Sequence, residues 1–574
     1  MGDKPVSKSE QVMNTDNLMY EWKTIPWRKL EVEVFKLQKR IYRASERGDV
    51  KTVRKLQRLL TKSRAAKMLA VRKVTQDNRG KRTAGIDGKK NLSQRERMFL
   101  AKDLALPNKA QPIRRILIPK PGKQEKRPLG IPTIGDRAAQ ALAKLALEPE
   151  WEALFEPHSY GFRPGRSAHD AVKYIFLSIR RQDKYVLDAD IRKCFDRINH
   201  KALLDKLNTY PAMRRAIKSW LKAGILKDGK IFPTEEGTPQ GGVISPLLAN
   251  IALHGLEEYI KSAFPKRKKL GNTKQANWQP IVVRYADDLL IMHREKGELK
   301  RAYELAQKWL SKMSLEFSQE KTRICHTYQE HEGQKPGFDF LGFSFHQFKL
   351  GKRDKRIVSG GNYSREAEHK TIILPTKEAI KRHKAELSQI IDGFKTATQE
   401  KLILALNPII TGWAKYYATV NSKETFGKID HWLYIKLRRW ANRRHPMKAK
   451  HWIAGKYWGI DTRGKWDFTD GNVTLNEHKK TPIKMHINVK ENRSPYDGDW
   501  TYWSTRRGKY TGTRPIIAKL LKTQLGKCSE CKLNFTMEDI IEVHHKDGNH
   551  SNRKYSNLEA LHGHCHDKKH TRYS

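Results

Sequence analysis

A chain of 574 residues is long enough for several domains and a sizeable core. Its 114 Lys+Arg against 62 Asp+Glu leave a formal charge of +52, carried along the whole chain, which points to a polyanionic partner with a large contact surface. No stretch approaches the ~20 uninterrupted apolar residues of a membrane span, the opening MGDKPVSKSEQ has no apolar signal core, and five cysteines are too few for a disulfide framework.

Residues 1–20 are polar. From Trp27 to Gln76 the apolar spacing is helical. Leu30, Val34, Leu37 and Ile41 share one face, Gly48 interrupts, and Val53, Leu56 and Leu60 resume a face, with Lys and Arg opposite. Residues 1–80 therefore read as a basic helical extension. Thr83 to Gly88 reads as a loop. Ile116 to Lys120 is a short strand entering the turn Pro121-Gly122-Lys123, and Arg127 to Pro132 returns from it. On such a basic hairpin Lys120 and Arg127 suit phosphate groups.

Tyr160-Gly161-Phe162-Arg163-Pro164-Gly165-Arg166-Ser167 is a loop opening a helix near Ala168, and its arginines suit a nucleic-acid backbone. Tyr185 to Asp190 is an apolar strand ending in a carboxylate, with Phe195 five positions on. Asp188 and Asp196 are rivals to Asp190 if the register differs. Gly237 to Pro246 is a glycine-rich loop containing Gln240, where backbone can approach a ligand closely. Then comes Val283 to Met292, VRYADDLLIM: two buried strands, from Ile281 and from Leu289, joined at Asp287-Asp288. Carboxylates this close raise each other's pKa unless a cation compensates, and magnesium, which prefers oxygen, is the natural compensator.

Residues 375–450 read as basic helices. Leu402, Leu404, Ile409, Ile410, Trp413, Tyr416 and Tyr417 supply one apolar face; Trp432, Leu433, Leu437 and Trp440 supply another. Residues 451–515 are rich in Trp, Gly, Lys and turn formers. From Gly526 a metal-ligand pattern appears. Cys528-x-x-Cys531 with His562-x-x-Cys565 suits a tetrahedral structural zinc, and its cysteines suit a reducing compartment. Separately, His544, His566 and His570 can converge on a divalent ion, since positions 566 and 570 share a helix face. His545 is then placed to activate water and Asn557 to orient His545; the order of His544 and His545 stays open. This set resembles an HNH endonuclease site.

Asp190 with Phe195, then Thr238-Pro239-Gln240-Gly241, then Tyr285-Ala286-Asp287-Asp288 resemble, in that order, the palm of a reverse transcriptase. Arg127 to Pro132, Tyr160 to Ser167, Glu320-Lys321-Thr322 and Phe340-Leu341-Gly342-Phe343 narrow the resemblance to group II intron-encoded reverse transcriptase/maturases, over nearly the whole chain. Ala84 departs from the family's usual proline. The resemblance implies a multidomain α+β fold of the right-hand polymerase type: fingers and palm over 81–370, a helical thumb or maturase domain over 371–450, a DNA-binding region over 451–520 and a zinc-containing ββα HNH module over 521–574. It implies two Mg2+ ions on Asp190, Asp287 and Asp288. Lys120 and Arg127 would lie on the triphosphate, Phe195 would exclude a 2′-hydroxyl, Gln240 would touch the deoxynucleotide and Lys321 would serve the leaving pyrophosphate.

The implied partners are intron RNA, a double-stranded DNA target and deoxynucleoside triphosphates, with the protein a monomer or homodimer in a ribonucleoprotein. The implied compartment is a bacterial cytoplasm or an organelle, and the lack of a recognisable transit peptide favours synthesis where the protein acts. A splicing factor that has lost both catalytic activities is the rival reading; the intact carboxylates and histidines argue against it.

Overall fold

A computed structural model describes residues 22–119, 126–227, 230–233, 236–237, 241–270, 274–350, 357–360, 363–366, 369–460, 466–508, 510, 513–535 and 539–571. The N-terminal pattern forms helices Trp27–Glu46, Val50–Lys62 and Arg64–Arg72. Asp49 caps the second by accepting from the Thr52 amide at 3.0 Å, just past Gly48, so the break and the restart follow from turn and cap chemistry. Val34, Ile41, Val53, Leu56 and Leu60 are all buried, as their spacing requires. They pack against the long helix Ile134–Leu154, where Arg54 pairs with Glu150 at 2.8 Å.

At the centre lies a four-stranded antiparallel sheet. Its spatial order is Arg323–His326, Tyr185–Asp190, Asp288–His293, Ile281–Tyr285. The two sides of the sheet are covered differently. Leu187, Val282, Leu289 and Ile291 join the core built with the N-terminal helices; Val186, Val283, Leu290 and Met292 join a second core with helix Ala168–Ile179. This is the pleat's period of two, with both faces buried.

A second sheet places strand Lys126–Ile131 beside Ile113–Pro119, with Arg127 opposite Ile118. Helices Lys377–Gly393, Gln399–Tyr417 and Lys423–Arg444 follow and enclose their own core of Leu402, Ile410, Leu433, Leu437 and Trp440. Within the expected apolar face Leu404 is an exception, half exposed on the outer side of its helix. A buried relay closes residues 476–482 onto these helices: His383 Nε2 meets His478 Nε2 at 2.8 Å, and His478 Nδ1 meets Asp430 at 2.6 Å.

The C-terminal residues do not form a detached bead. Val489, Tyr496, Trp500, Trp503 and Tyr510 share one core with Phe35 and Tyr42 of the first helix and with Leu520, Leu558 and Leu561 of the terminal module. Among the described residues no helix is long and apolar enough to cross a membrane.

Candidate active sites

Tyr285 and Asp288 are paired across a two-residue turn, so Ala286 and Asp287 form the tip of the hairpin. Ala286 takes φ +58°, a strained left-handed conformation for a residue with a Cβ. In the register Asp190 stands opposite Asp288 on the neighbouring strand, which favours Asp190 over its rivals. Asp188, two residues earlier, is occupied by Arg323 at 3.0 Å. Asp196 lies on the short helix Cys194–Arg197, outside the sheet.

The sheet thus gathers carboxylates that repel one another. Asp288 keeps solvent access but sits in a crowded cleft; desolvation, then the charges of Asp287, Asp190 and Asp188, push its pKa up to about 7. Desolvation followed by Asp190 also raises Asp287, while the nearby Arg127 and Lys321 charges oppose the shift. Lys321 lies directly on Asp190 as an internal counter-ion, and that contact raises the lysine's own pKa. Among the described residues the three aspartates are not one of the groups whose ligand atoms lie within 4.8 Å of one another. The donor set of hard, crowded carboxylate oxygens fits divalent magnesium.

The cleft walls come from the other loops. Phe195 is half-buried and meets Phe162 edge-on at 6.3 Å. A Cβ on Gly237 would collide with the Asp196 backbone, and one on Gly241 with the Gly130 carbonyl. Glycine is therefore required at 237, against the Phe195 helix, and at 241, against the Arg127 strand. Lys120 and Gln240 lie outside the described residues.

The arginines of residues 160–167 correct an expectation. Arg163 is buried and forks onto Glu152, Nε–Oε1 2.9 Å and Nη2–Oε2 3.0 Å. Arg166 donates to the carbonyls of Pro157 at 2.8 Å and Glu491 at 2.5 Å. Both are spent inside the protein rather than facing a nucleic-acid backbone. The adjoining Asp170 is likewise a docking point. It accepts from Arg506 at 2.8 Å, His486 at 3.0 Å and the Val489 amide at 2.9 Å.

The terminal module is a hairpin of Ile541–His545 with Leu558–His562, followed by helix Gly563–Thr571, a ββα unit. Two clusters have their ligand atoms within 4.8 Å: Cys528, Cys531, His562 and Cys565, and His544, His566 and His570. In the first, Cys531 Sγ stands 3.3 Å from His562 Nδ1, and Asp539 backs His562 Nε2 at 3.4 Å, an outer-shell arrangement suited to a metal-bound histidine. Burial works to raise the Cys528 thiol, but backbone N–H groups of Cys531, His562 and Glu530 outweigh it and bring it to about 7. This donor set fits zinc.

In the second cluster His570 Nε2 lies 3.2 Å from His566 Nε2, and buried His544 leaves its Nδ1 without a partner among the described residues. Two facing imidazoles and an orphaned buried nitrogen fit a divalent ion. Strand alternation puts His544 in this cluster and His545 on the opposite face, where His545 packs near His550 at 4.9 Å. Among the described residues no hydrogen bond joins the Asn557 side chain to the His545 ring. The Asn557 side chain is spent on Asp547 at 2.8 Å and the Asn552 carbonyl at 3.0 Å, tying down the loop that leaves His545.

A polymerase-type carboxylate sheet and a helical region of separate core define the broad class, and comparison with known proteins agrees. Residues 22–104 match the N-terminal domain of reverse transcriptase, 118–345 the reverse transcriptase (RNA-dependent DNA polymerase) family and 380–458 the group II intron maturase-specific domain. The chain is 30% identical to Protein YkfC of Escherichia coli over 345 residues, 53% of this chain and 87% of that protein. It is 29% identical to the group II intron-encoded protein LtrA of Lactococcus lactis over 456 residues, 67% of this chain and 72% of that one. Over 154 residues it is 40% identical to an uncharacterized 91 kDa protein in a cob intron of Schizosaccharomyces pombe, 26% of this chain and 19% of the relative. The chain belongs to the group II intron-encoded reverse transcriptase/maturases.

Proposed function

We propose that this chain copies its intron RNA by target-primed reverse transcription, assists splicing of that RNA, and nicks the DNA target with its terminal module. The domain limits proposed are 1–80 for the basic extension, 81–370 for fingers and palm, 371–450 for the thumb, 451–520 for DNA binding and 521–574 for the HNH module. The observation that carries the polymerase reading is Asp190 set opposite Asp288 beside the Asp287 turn.

Asp190 and Asp287 would hold two Mg2+ ions, with Asp288 completing the acidic cluster; bound there, the ions activate the primer 3′-hydroxyl and neutralise the leaving pyrophosphate. The chain's own residues orient the reaction. Arg127 and Lys120 grip the triphosphate. Phe195 closes the sugar side against a 2′-hydroxyl, and Gln240 contacts the incoming nucleotide. Lys321 gives up its contact with Asp190 when the site fills and is then free to donate a proton to pyrophosphate.

In the terminal module, Cys528, Cys531, His562 and Cys565 would hold a structural zinc. His544, His566 and His570 would hold a divalent ion that polarises the scissile phosphate. His545 takes the proton from the attacking water. Asn557 acts indirectly, by fixing the 546–557 loop beside His545. The partners are the intron RNA, duplex DNA and deoxynucleoside triphosphates.

The test uses purified protein with its intron RNA, deoxynucleotides and magnesium. Asp287→Ala should abolish cDNA synthesis while splicing stays within about twofold of wild type, since the change removes a metal ligand without touching the thumb. A parallel loss of splicing would refute this division of labour.

A further inference from the structure

The catalytic turn rests on a buried polar frame on the side of the sheet away from Asp190 and Asp288. Arg284 precedes Tyr285 on the turn's own strand and is 3% exposed. Alternation sends its side chain to the opposite side of the sheet from Asp190 and Asp288. There its Nη1 donates to Asn250 Oδ1 at 3.0 Å and to the Ala286 carbonyl at 3.3 Å. Asn250, 1% exposed on helix Ser245–Leu253, donates its Nδ2 to the Gly161 carbonyl at 2.8 Å.

Gly161 closes the frame. A Cβ at that position would collide with the Ala286 amide, so the loop's backbone lies directly against the turn. The same loop is zipped to Arg284 itself: the Tyr160 amide donates to the Arg284 carbonyl at 2.9 Å, and the Arg284 amide to the His158 carbonyl at 3.0 Å. Ala286 is thus gripped at its carbonyl, flanked at its amide and held at φ +58°.

A guanidinium buried this deeply is costly, and apolar packing would serve the core as well. Glu156 and Glu257 offset its charge from a distance, yet among the described residues Nη2 keeps no hydrogen-bond partner. What the arginine and the asparagine provide that an apolar pair would not is directional bonding to the turn itself, at Ala286, and to the loop that lies against it, at Gly161.

We infer that Arg284 and Asn250 are positioning residues for the polymerase site, fixing the Ala286–Asp287 turn through Gly161 and the Ala286 carbonyl so that the Asp287 carboxylate is preset for metal. This rests on the reading of Asp287 as a metal ligand. The frame contacts neither nucleotide nor metal. Its effect is to spare the site the reorganisation that a free two-residue turn would need on each binding event.

The experiment compares wild type, Asn250→Ala, Asn250→Asp, Asp287→Ala and the double variant Asn250→Ala/Asp287→Ala. Three quantities are read on each protein. They are hydrogen–deuterium exchange of the peptide spanning 283–290, terbium binding by luminescence, and primer extension on a preformed primer–template. Asn250→Ala should speed exchange in the turn, weaken terbium binding about tenfold and lower kcat by roughly 10- to 100-fold with the KM for primer–template little changed, as expected for a misplacement on the ångström scale. Asn250→Asp keeps the acceptor for Arg284 and should recover part of each loss. With Asp287 already removed, Asn250→Ala should cost no further terbium affinity.

Unchanged turn exchange and terbium affinity in Asn250→Ala, with only a lowered melting temperature, would overturn the inference and leave the frame as ordinary core. Terbium binding indifferent to Asp287→Ala would instead sink the metal reading of Asp287, while turn exchange would still report on the frame. Arg284→Met is a second probe where it folds; Asn250→Ala removes fewer atoms and keeps the question answerable where it does not.

Discussion

The molecule carries candidate metal sites in two regions that are built in opposite ways. The sheet site is assembled from residues nearly 100 positions apart, Asp190 and Asp287–Asp288, on a scaffold packed on both faces by large apolar cores. The terminal clusters lie within residues 528–570 on one hairpin, one helix and their loops. The first therefore stands without metal and tolerates its charge repulsion through Lys321 and Arg127. The second packs its few apolar residues, Phe535, Leu558, Ala560 and Leu561, into a core shared with residues 489–521 and the first helix, so metal is expected to contribute to the folding of its ligand loops. On the proposed reading the sheet site would use metal for chemistry alone, and the terminal module would use one metal for form and a second for chemistry.

The sharpest break between them is Asp190→Ala. It should lower polymerisation by on the order of a thousandfold or more while leaving nicking intact, read by primer extension and nick assays on one preparation. Next in size is zinc removal. A zinc-selective chelator, with magnesium kept in excess, would withdraw metal stabilisation on the order of 10 kcal/mol from the four-ligand site, so residues 526–571 should become protease-sensitive while extension on a preformed primer–template persists. Protection of the sheet lost together with the module would mean the two are one cooperative unit.

A smaller effect belongs to the seam between the regions. Asp170 is buried and its pKa lies at about 2: burial works to raise it, and His486, Ser167, the Val489 amide and Arg506 outweigh that. A depressed folded pKa means its stabilisation is complete above the unfolded value near 4 and is lost as pH falls toward 2. Asp170→Asn should cost roughly 2–4 kcal/mol, seen as a lower melting temperature. It should also flatten the acid-side loss of stability between pH 4 and 2.

The smallest effect is in the carboxylate cleft. The folded pKa of Asp288 is raised to about 7, so the proton favours the folded state. Metal-free stability should be full at pH 4, decline as pH rises through about 7, and recover when magnesium is added. Thermal melting of Asp288→Asn should lose most of that pH dependence.

Much of this was legible from local pattern. VRYADDLLIM folds as the hairpin its apolar flanks demand, the helix break at Gly48 falls where spacing puts it, and the Cys and His spacings converge as two clusters. What spacing could not show were contacts between distant segments. Arg166 meeting Glu491, Asp170 meeting Arg506 and Phe35 packing edge-on to Tyr510 at 5.3 Å join residues separated by hundreds of positions. An arginine in a glycine- and proline-rich loop looks the same whether it faces a phosphate or a buried carboxylate, and only the fold shows Arg163 on Glu152. Gly161 held the available clue. A glycine after a buried tyrosine marks a close backbone approach, but only the fold shows that the approach is to the catalytic turn.

The measurement that bears most directly on two separable active sites is His545→Ala assembled with its intron RNA and offered intact or pre-nicked DNA target with deoxynucleotides and magnesium. The account predicts no nick and no cDNA on intact target, and near wild-type cDNA on the pre-nicked one. Nicking that survives His545→Ala, or extension that fails on both targets, would contradict it.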